Sequence, residues 1–182
     1  PETALPYYFN DSTYAHYSKK IRNLVREIQI PLLVGSLQGS GNKSNPIYNR
    51  AFMLDKTGNT NGFADKVHLV PFGEYLPFPA FFGYLDELTA QSGQFTPGLK
   101  HNVLSVPEST GRAGIFICYE SIFPEITRGL VLDGANFLIN TTNDAWFGQT
   151  AAPEQHFAMS VIRAIETRRS VVRTANTGIS GI

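Results

Sequence analysis

Apolar side chains recur along this chain with two periods, one helical and one extended, and the two alternate. Residues 13–28 place Tyr14, Tyr17, Ile21, Leu24, Val25 and Ile28 on one helical face, with Asp11 or Ser12 available as the N-cap. Pro31-Leu32-Leu33-Val34-Gly35 predicts a short apolar strand, and residues 47–55 predict another, closed by the turn Asp55-Lys56-Thr57-Gly58. Residues 112–118 predict a strand whose run Gly114-Ile115-Phe116-Ile117-Cys118 is apolar throughout, as a strand covered on both faces would be. A helix follows over 121–133, with Ile122, Ile126 and Leu130 in register and Pro124 tolerated in its first turn. A strand over 135–141, a helix over 153–169 and a last strand over 171–175 complete the pattern. Strands alternating with helices predict an α/β layered fold, in one domain over residues 1–182 with no repeat or linker. The turn-rich segment 36–46 reads as a surface loop, because its glycines and Lys43 do not have the spacing of a phosphate-binding loop.

Composition narrows the function classes. The chain has 182 residues, 42% of them hydrophobic and 16% charged, which suffices for a buried core. Fifteen basic residues balance fifteen acidic ones, so the electrostatic footprint of a nucleic-acid binder is missing. No apolar run reaches the ~18–20 residues needed to cross a bilayer, and no signal peptide pattern is present. The start at Pro1-Glu2-Thr3 and the stop at Gly181-Ile182 read as those of a piece of a longer protein. The lack of a membrane segment in it therefore says little about the whole.

The candidate chemistry begins with the one cysteine, Cys118, where an apolar strand meets a helix. By itself a lone cysteine is usually a small buried apolar residue. A strand-to-helix turn, however, exposes a nucleophile, and the helix start offers N–H groups and a dipole that lower a thiol pKa and can receive an oxyanion. A thiol nucleophile also needs a base and a positive partner. The stretch Asp65-Lys66-Val67-His68-Leu69-Val70-Pro71-Phe72-Gly73-Glu74-Tyr75-Leu76-Pro77 puts Lys66 and His68 on one face of an extended segment, with Glu74 after them. A third stretch, Pro1-Glu2-Thr3-Ala4-Leu5-Pro6, holds a glutamate between prolines. Each of these residues alone reads as an ordinary surface or loop residue.

Together the three stretches resemble the Glu–Lys–Cys triad of the nitrilase (carbon–nitrogen hydrolase) superfamily, with Glu2, Lys66 and Cys118 in order and 64 and 52 residues apart. "HLVPFGEYLP", Glu120 after Cys118-Tyr119, "NDAWFG" (143–148) and "RTANTGIS" (173–180) resemble one branch of it, the apolipoprotein N-acyltransferases. The resemblance implies a four-layer α-β-β-α sandwich, truncated at both ends. It implies Cys118 as acyl acceptor, Glu2 as general base, and Lys66 with the Tyr119 N–H as oxyanion stabilisers. Glu74 would hold Lys66, and Glu120 would support the nucleophile. A phospholipid would donate an acyl chain, and the diacylglyceryl-cysteine amine of an apolipoprotein would accept it. No metal or other cofactor is implied, and no nucleic acid. The setting implied is the bacterial inner membrane, reached through segments absent from this chain, with the catalytic domain facing the periplasm.

Some readings stay open at this level. A soluble carbon–nitrogen hydrolase would use the same triad with water as acceptor, and a lipid-binding module would keep the site without the chemistry. A Cys–His protease using His68 or His156 has little support in local signatures. Tyr75, Leu76, Phe78, Phe81, Phe82, Tyr84 and Leu85 form either a core helix or a lipid-facing flap, and Tyr75, Trp146 and Phe147 are candidates to line an acyl pocket. Glu2, so near the chain start, is expected to be frayed, leaving this piece alone inactive and poorly stable.

Overall fold

The computed structural model of the chain describes residues 2–39, 45–77 and 95–182. In order along the described residues lie β1 (Leu5–Tyr8), α1 (Ala15–Ile28), β2 (Leu32–Gln38), β3 (Tyr48–Leu54), β4 (Thr60–Asp65), β5 (Val103–Ser105), β6 (Arg112–Ile117), α2 (Pro124–Leu132), β7 (Phe137–Thr142), α3 (Ala152–Thr167) and β8 (Val171–Ala175). Short 3-10 turns cover Ser12–Tyr14, Cys118–Ile122 and Asp144–Phe147. Two four-stranded sheets result, in the orders β1-β2-β3-β4 and β5-β6-β7-β8.

Period-2 alternation builds the layers. In β3, Ala51 and Met53 point to the second sheet while Phe52 and Leu54 point to α1. In β6, Ala113, Ile115 and Ile117 point to the first sheet while Phe116 packs with Ile126 and Leu130 of α2. The buried clusters therefore stack as helix on sheet, sheet on sheet, and sheet on helix. This is a four-layer α-β-β-α sandwich, the architecture that the resemblance implies.

Most expected elements are present with shifted ends. The turn after β3 closes as expected, with the Gly58 N–H donating to the Asp55 carbonyl at 2.8 Å and Gly58 at φ +76°. Pro124 begins α2, and Asp11 caps the turn before α1 by accepting from Thr13. Three strands had no visible pattern. β1 contains a proline, β4 begins Thr60-Asn61-Gly62, and β5 is three residues long; inter-strand pairing, rather than local preference, makes them strands. Residues 36–38, expected in a loop, extend β2. The expected inward face of α1 is also corrected. Val25 is fully buried, but Tyr17, Leu24 and Ile28 stay about half exposed, because the helix meets its sheet along a narrower line through Ile21 and Val25. Tyr17 packs instead on Tyr7. Phe78, Phe81, Phe82, Tyr84 and Leu85 lie outside the described residues.

β6 passes tightly beneath α2 at Gly114. A methyl group there would lie 2.7 Å from Leu138 Cδ2 and 2.9 Å from Leu130 Cβ. Gly114→Ala is expected to cost about 1–3 kcal/mol by overpacking. The check is a lowered urea midpoint with an unchanged slope in the intact protein; a midpoint equal to wild type would mean the layer has slack.

Candidate active site

Sheet register brings distant residues to one place. Leu5 pairs with Ser36, Ser36 with Arg50, and Arg50 with Asp65, so the approach to β1 and the exit from β4 lie at the same level. Glu2 precedes that row and Lys66 follows it. Cys118 comes immediately after β6, and Thr142 ends β7 beside it with Asn143 next along the chain, at the carboxyl edge of parallel strands.

Lys66 is almost wholly buried, and two carboxylates meet its ammonium. Glu74 Oε1 lies 2.7 Å from Nζ and Glu2 Oε1 lies 3.5 Å away. Burial disfavours the charged ammonium, but Glu2, Cys118 and Glu74 together hold the lysine above its ordinary range, and it stays charged. Glu74 is fixed in turn by the Val70 N–H on its other oxygen at 2.8 Å.

Glu2 is 5% exposed, so the expectation of a frayed side chain does not hold. Oε1 accepts from Asn49 Nδ2 at 2.5 Å and Oε2 accepts from the Asn143 N–H at 3.0 Å. Burial pushes its pKa up, and the neighbouring Glu74 adds to that, while Lys66 and Asn49 oppose it. Glu2 is thus pushed toward holding a proton.

Cys118 sits in the left-handed region at φ +52°, a conformation that costs a non-glycine residue roughly 1–2 kcal/mol. Its surroundings hold it there. Glu120, almost wholly buried, accepts from the Ile117 N–H at 2.7 Å on one oxygen. The other oxygen accepts from the N–H groups of Val67 at 2.8 Å and His68 at 3.0 Å, and meets His101 Nε2 at 3.2 Å. One carboxylate thus ties the residue before the cysteine to the residues after the lysine. The thiol itself is pushed up to about 12, first by burial and then by Glu2, with Lys66 pulling it down. The expectation of a thiol acidified by the helix start is therefore corrected: a short 3-10 turn follows Cys118, and loss of hydration outweighs the favourable charges.

His68 does not share a face with Lys66. The strand stops at Asp65, so Lys66 turns inward while His68 is exposed, packed against Phe123 at 4.7 Å between ring centres. His156, weighed above as a protease base, contacts the Cys118 carbonyl through Nε2 at 3.1 Å. A cavity of about 170 Å³ opens onto the sulfur, lined by Glu2, Lys66, Glu74, Cys118, Trp146 and Phe147 among others. Tyr75 is not among its described lining. Asn49, His101, Thr142, Asp144 and Arg173 were not singled out from sequence, although Asp144 and Arg173 fall inside stretches that carried the resemblance.

This arrangement has the parts of a covalent acyl-transfer centre: a thiol, a carboxyl group able to take its proton, and a fixed ammonium. The carbon–nitrogen hydrolase family model matches residues 1–182. The apolipoprotein N-acyltransferase of Geobacter metallireducens is 43% identical over 184 residues, covering all of this chain and 34% of that protein. The chain thus spans about a third of the length of the curated relatives it matches. Among solved structures, the carbon–nitrogen hydrolase from Helicobacter pylori G27 aligns with a TM-score of 0.66 at 21% identity, over 94% of this chain and 55% of that one. The C. elegans NitFhit protein aligns at 0.68 and 24% identity, over 93% of this chain and 38% of that one.

A thiol near 12 rather than the ordinary 9.0 carries about a thousandfold less thiolate at pH 8. The greater nucleophilicity of a more basic thiolate recovers part of this. Alkylation of Cys118 by iodoacetamide at pH 8, followed by peptide mass spectrometry, is expected to run roughly 10–100-fold slower than that of free cysteine and to speed up as pH rises beyond 9. A rate equal to free cysteine at pH 8 would mean the thiolate is already formed.

Proposed function

The chain belongs to the carbon–nitrogen hydrolase family, and on that premise we propose that it carries the acyl-transfer centre of a lipoprotein N-acyltransferase, with Glu2, Lys66 and Cys118 as its catalytic residues. The convergence of these three side chains on one largely apolar cavity carries the chemical reading. The choice of acceptor is supported by the 43% identity, over the whole chain, to a protein named apolipoprotein N-acyltransferase.

In the first half-reaction Glu2 takes the Cys118 proton as sulfur attacks the ester carbonyl of a phospholipid. A C–S bond forms, and the carbonyl oxygen becomes an oxyanion held by Lys66 Nζ and the Tyr119 N–H. Collapse breaks the C–O bond, and the lysolipid alkoxide leaves with the proton from Glu2. In the second half the α-amine of a lipid-modified N-terminal cysteine attacks the thioester. Glu2 takes the amine proton, the amide C–N bond forms as the C–S bond breaks, and the proton passes to the departing sulfur. Glu74 keeps Lys66 in place, and Glu120 locks the turn that presents Cys118. No metal or organic cofactor enters either half.

The cavity supports an acyl donor. It is small enough to hold the reacting carbonyl, and Trp146, 74% exposed, stands beside Phe147 at its lining as an apolar surface for a chain to run along. Tyr75 would belong to the same approach, outside the cavity itself. The work would be done at the periplasmic face of a bacterial inner membrane, with membrane attachment supplied from outside this chain. Among the described residues no helix is long and apolar enough to cross a membrane.

The test is mass spectrometry of the intact protein after incubation with phosphatidylethanolamine vesicles. Wild type is expected to gain one acyl group on Cys118 and lose it to a diacylglyceryl-cysteine peptide. Lys66→Ala and Glu2→Gln are expected to slow the gain by about 10²-fold or more. Absence of any adduct on wild type would sink the proposal, and release of the acyl group to water alone, with the lipopeptide left unmodified, would favour a hydrolase.

A further inference from the structure

Behind the cysteine lies a buried polar cluster that the mechanism above does not use. His156 of α3 is 5% exposed, and its Nε2 lies 3.1 Å from the Cys118 carbonyl oxygen. A carbonyl oxygen can only accept, so Nε2 carries the hydrogen. The opposite ring nitrogen, Nδ1, lies 2.8 Å from Asp144 Oδ1 and 3.1 Å from Arg173 Nη2; it donates to the carboxylate when it too carries a hydrogen and accepts from the guanidinium when it does not, and either pairing fixes the ring plane. Asp144, itself 2% exposed, is held by Arg173, whose Nη2 donates to Oδ2 at 2.8 Å, and by the Thr142 hydroxyl at 3.1 Å. Arg173 also donates to Asn140 Oδ1 at 2.5 Å. Asn140 Nδ2 donates to the Phe116 carbonyl at 3.2 Å and reaches the Cys118 carbonyl at 3.5 Å. The cluster is tightly enclosed, since a Cβ on Gly178 would lie 2.3 Å from Asp144 Oδ2.

This cluster places its donor on one carbonyl, that of the left-handed nucleophile. That carbonyl shares a peptide unit with the Tyr119 N–H. Drawing electron density toward a peptide oxygen makes the N–H of the same unit a stronger donor, and in a dry site such polarisation is little screened. We propose that His156, oriented by Asp144 and Arg173, is a positioning and polarising residue: it strengthens the Tyr119 N–H as an oxyanion donor by hydrogen-bonding the other end of the Cys118–Tyr119 peptide. The inference rests on the reading of Cys118 as an acyl acceptor. It gives His156 a role through the peptide unit and none as a base, since its Nε2 is spent on the carbonyl.

Two reactions of the same sulfur separate this role from a structural one. Acylation by a p-nitrophenyl ester passes through an oxyanion, and its rate is read from p-nitrophenolate release. Alkylation by iodoacetamide is a direct displacement with no oxyanion. In the intact protein, His156→Leu is expected to lower the acylation kcat by roughly 5–50-fold, less than loss of a whole oxyanion donor, with little change in KM. Alkylation should stay within about twofold of wild type. His156→Gln, which keeps an N–H at the position of Nε2, is expected to recover most of the lost rate. Should His156→Leu fail to fold, Asp144→Asn, which leaves the imidazole but loosens its aim, must show a smaller loss of the same kind. Equal acylation by His156→Leu and wild type overturns the inference. So does a parallel fall in acylation and alkylation, or Gln no better than Leu. A wild type that is alkylated but never acylated would instead overturn the proposed function.

Discussion

An ammonium group nearly sealed from water survives only beside negative charge, and the site is organised around that demand. Lys66 loses its hydration where β4 ends, and Glu74 and Glu2 replace it. Two acids around one cation leave an excess of negative charge in an apolar cavity. Burial there costs a carboxylate its hydration, which is the first reason that the pKa of Glu2 shifts upward; Glu74 adds to the shift and Lys66 opposes it. Burial is likewise the main cause of the raised pKa of the thiol, with Glu2 adding to it. In the proposed reaction, a carboxylate of raised proton affinity, a thiol still holding its proton and a fixed cation would meet the charge that appears only when a carbonyl oxygen becomes an oxyanion.

The cost of this arrangement falls on the backbone at Cys118. A left-handed cysteine at the end of a strand needs support from both sides, and it has it. Glu120 grips the N–H of the residue before it and reaches across to Val67 and His68, so one carboxylate bridges the lysine segment and the cysteine turn. His156 and Asn140 grip the carbonyl behind it. Neither set touches the sulfur, yet together they set where it points. Rigid placement of this kind is what the proposed chemistry would need, since a weakly acidic thiol reacts readily only when its partners are already oriented.

Much of this was legible in the sequence, and for a physical reason. Helix and strand periods are local, so β2, β3, β6, β7, β8 and the three helices could be read within a few residues of their ends. The chemistry-bearing residues lay in short stretches whose order and spacing resemble a known superfamily, which made Glu2, Lys66, Glu74, Cys118 and Glu120 candidates before any geometry was known. Strands such as Thr60–Asp65, whose residues favour turns, were not legible, because pairing with a neighbour makes them strands. The outward tilt of Tyr17 and Leu24 was hidden for the same reason, since period says which residues share a face but not how much of that face a sheet will cover.

What the sequence determined by itself was the layered α/β pattern, the neutral surface and the identity of the reactive groups, all properties of residue type and local spacing. Only the tertiary structure decided their states. It made Lys66 buried and His68 exposed two residues later, turned an expected acidic thiol into a basic one, and aimed His156 at a carbonyl rather than a sulfur. Charge and proton affinity depend on how much water remains and on which groups stand within a few ångströms, and those are set by which strands lie side by side.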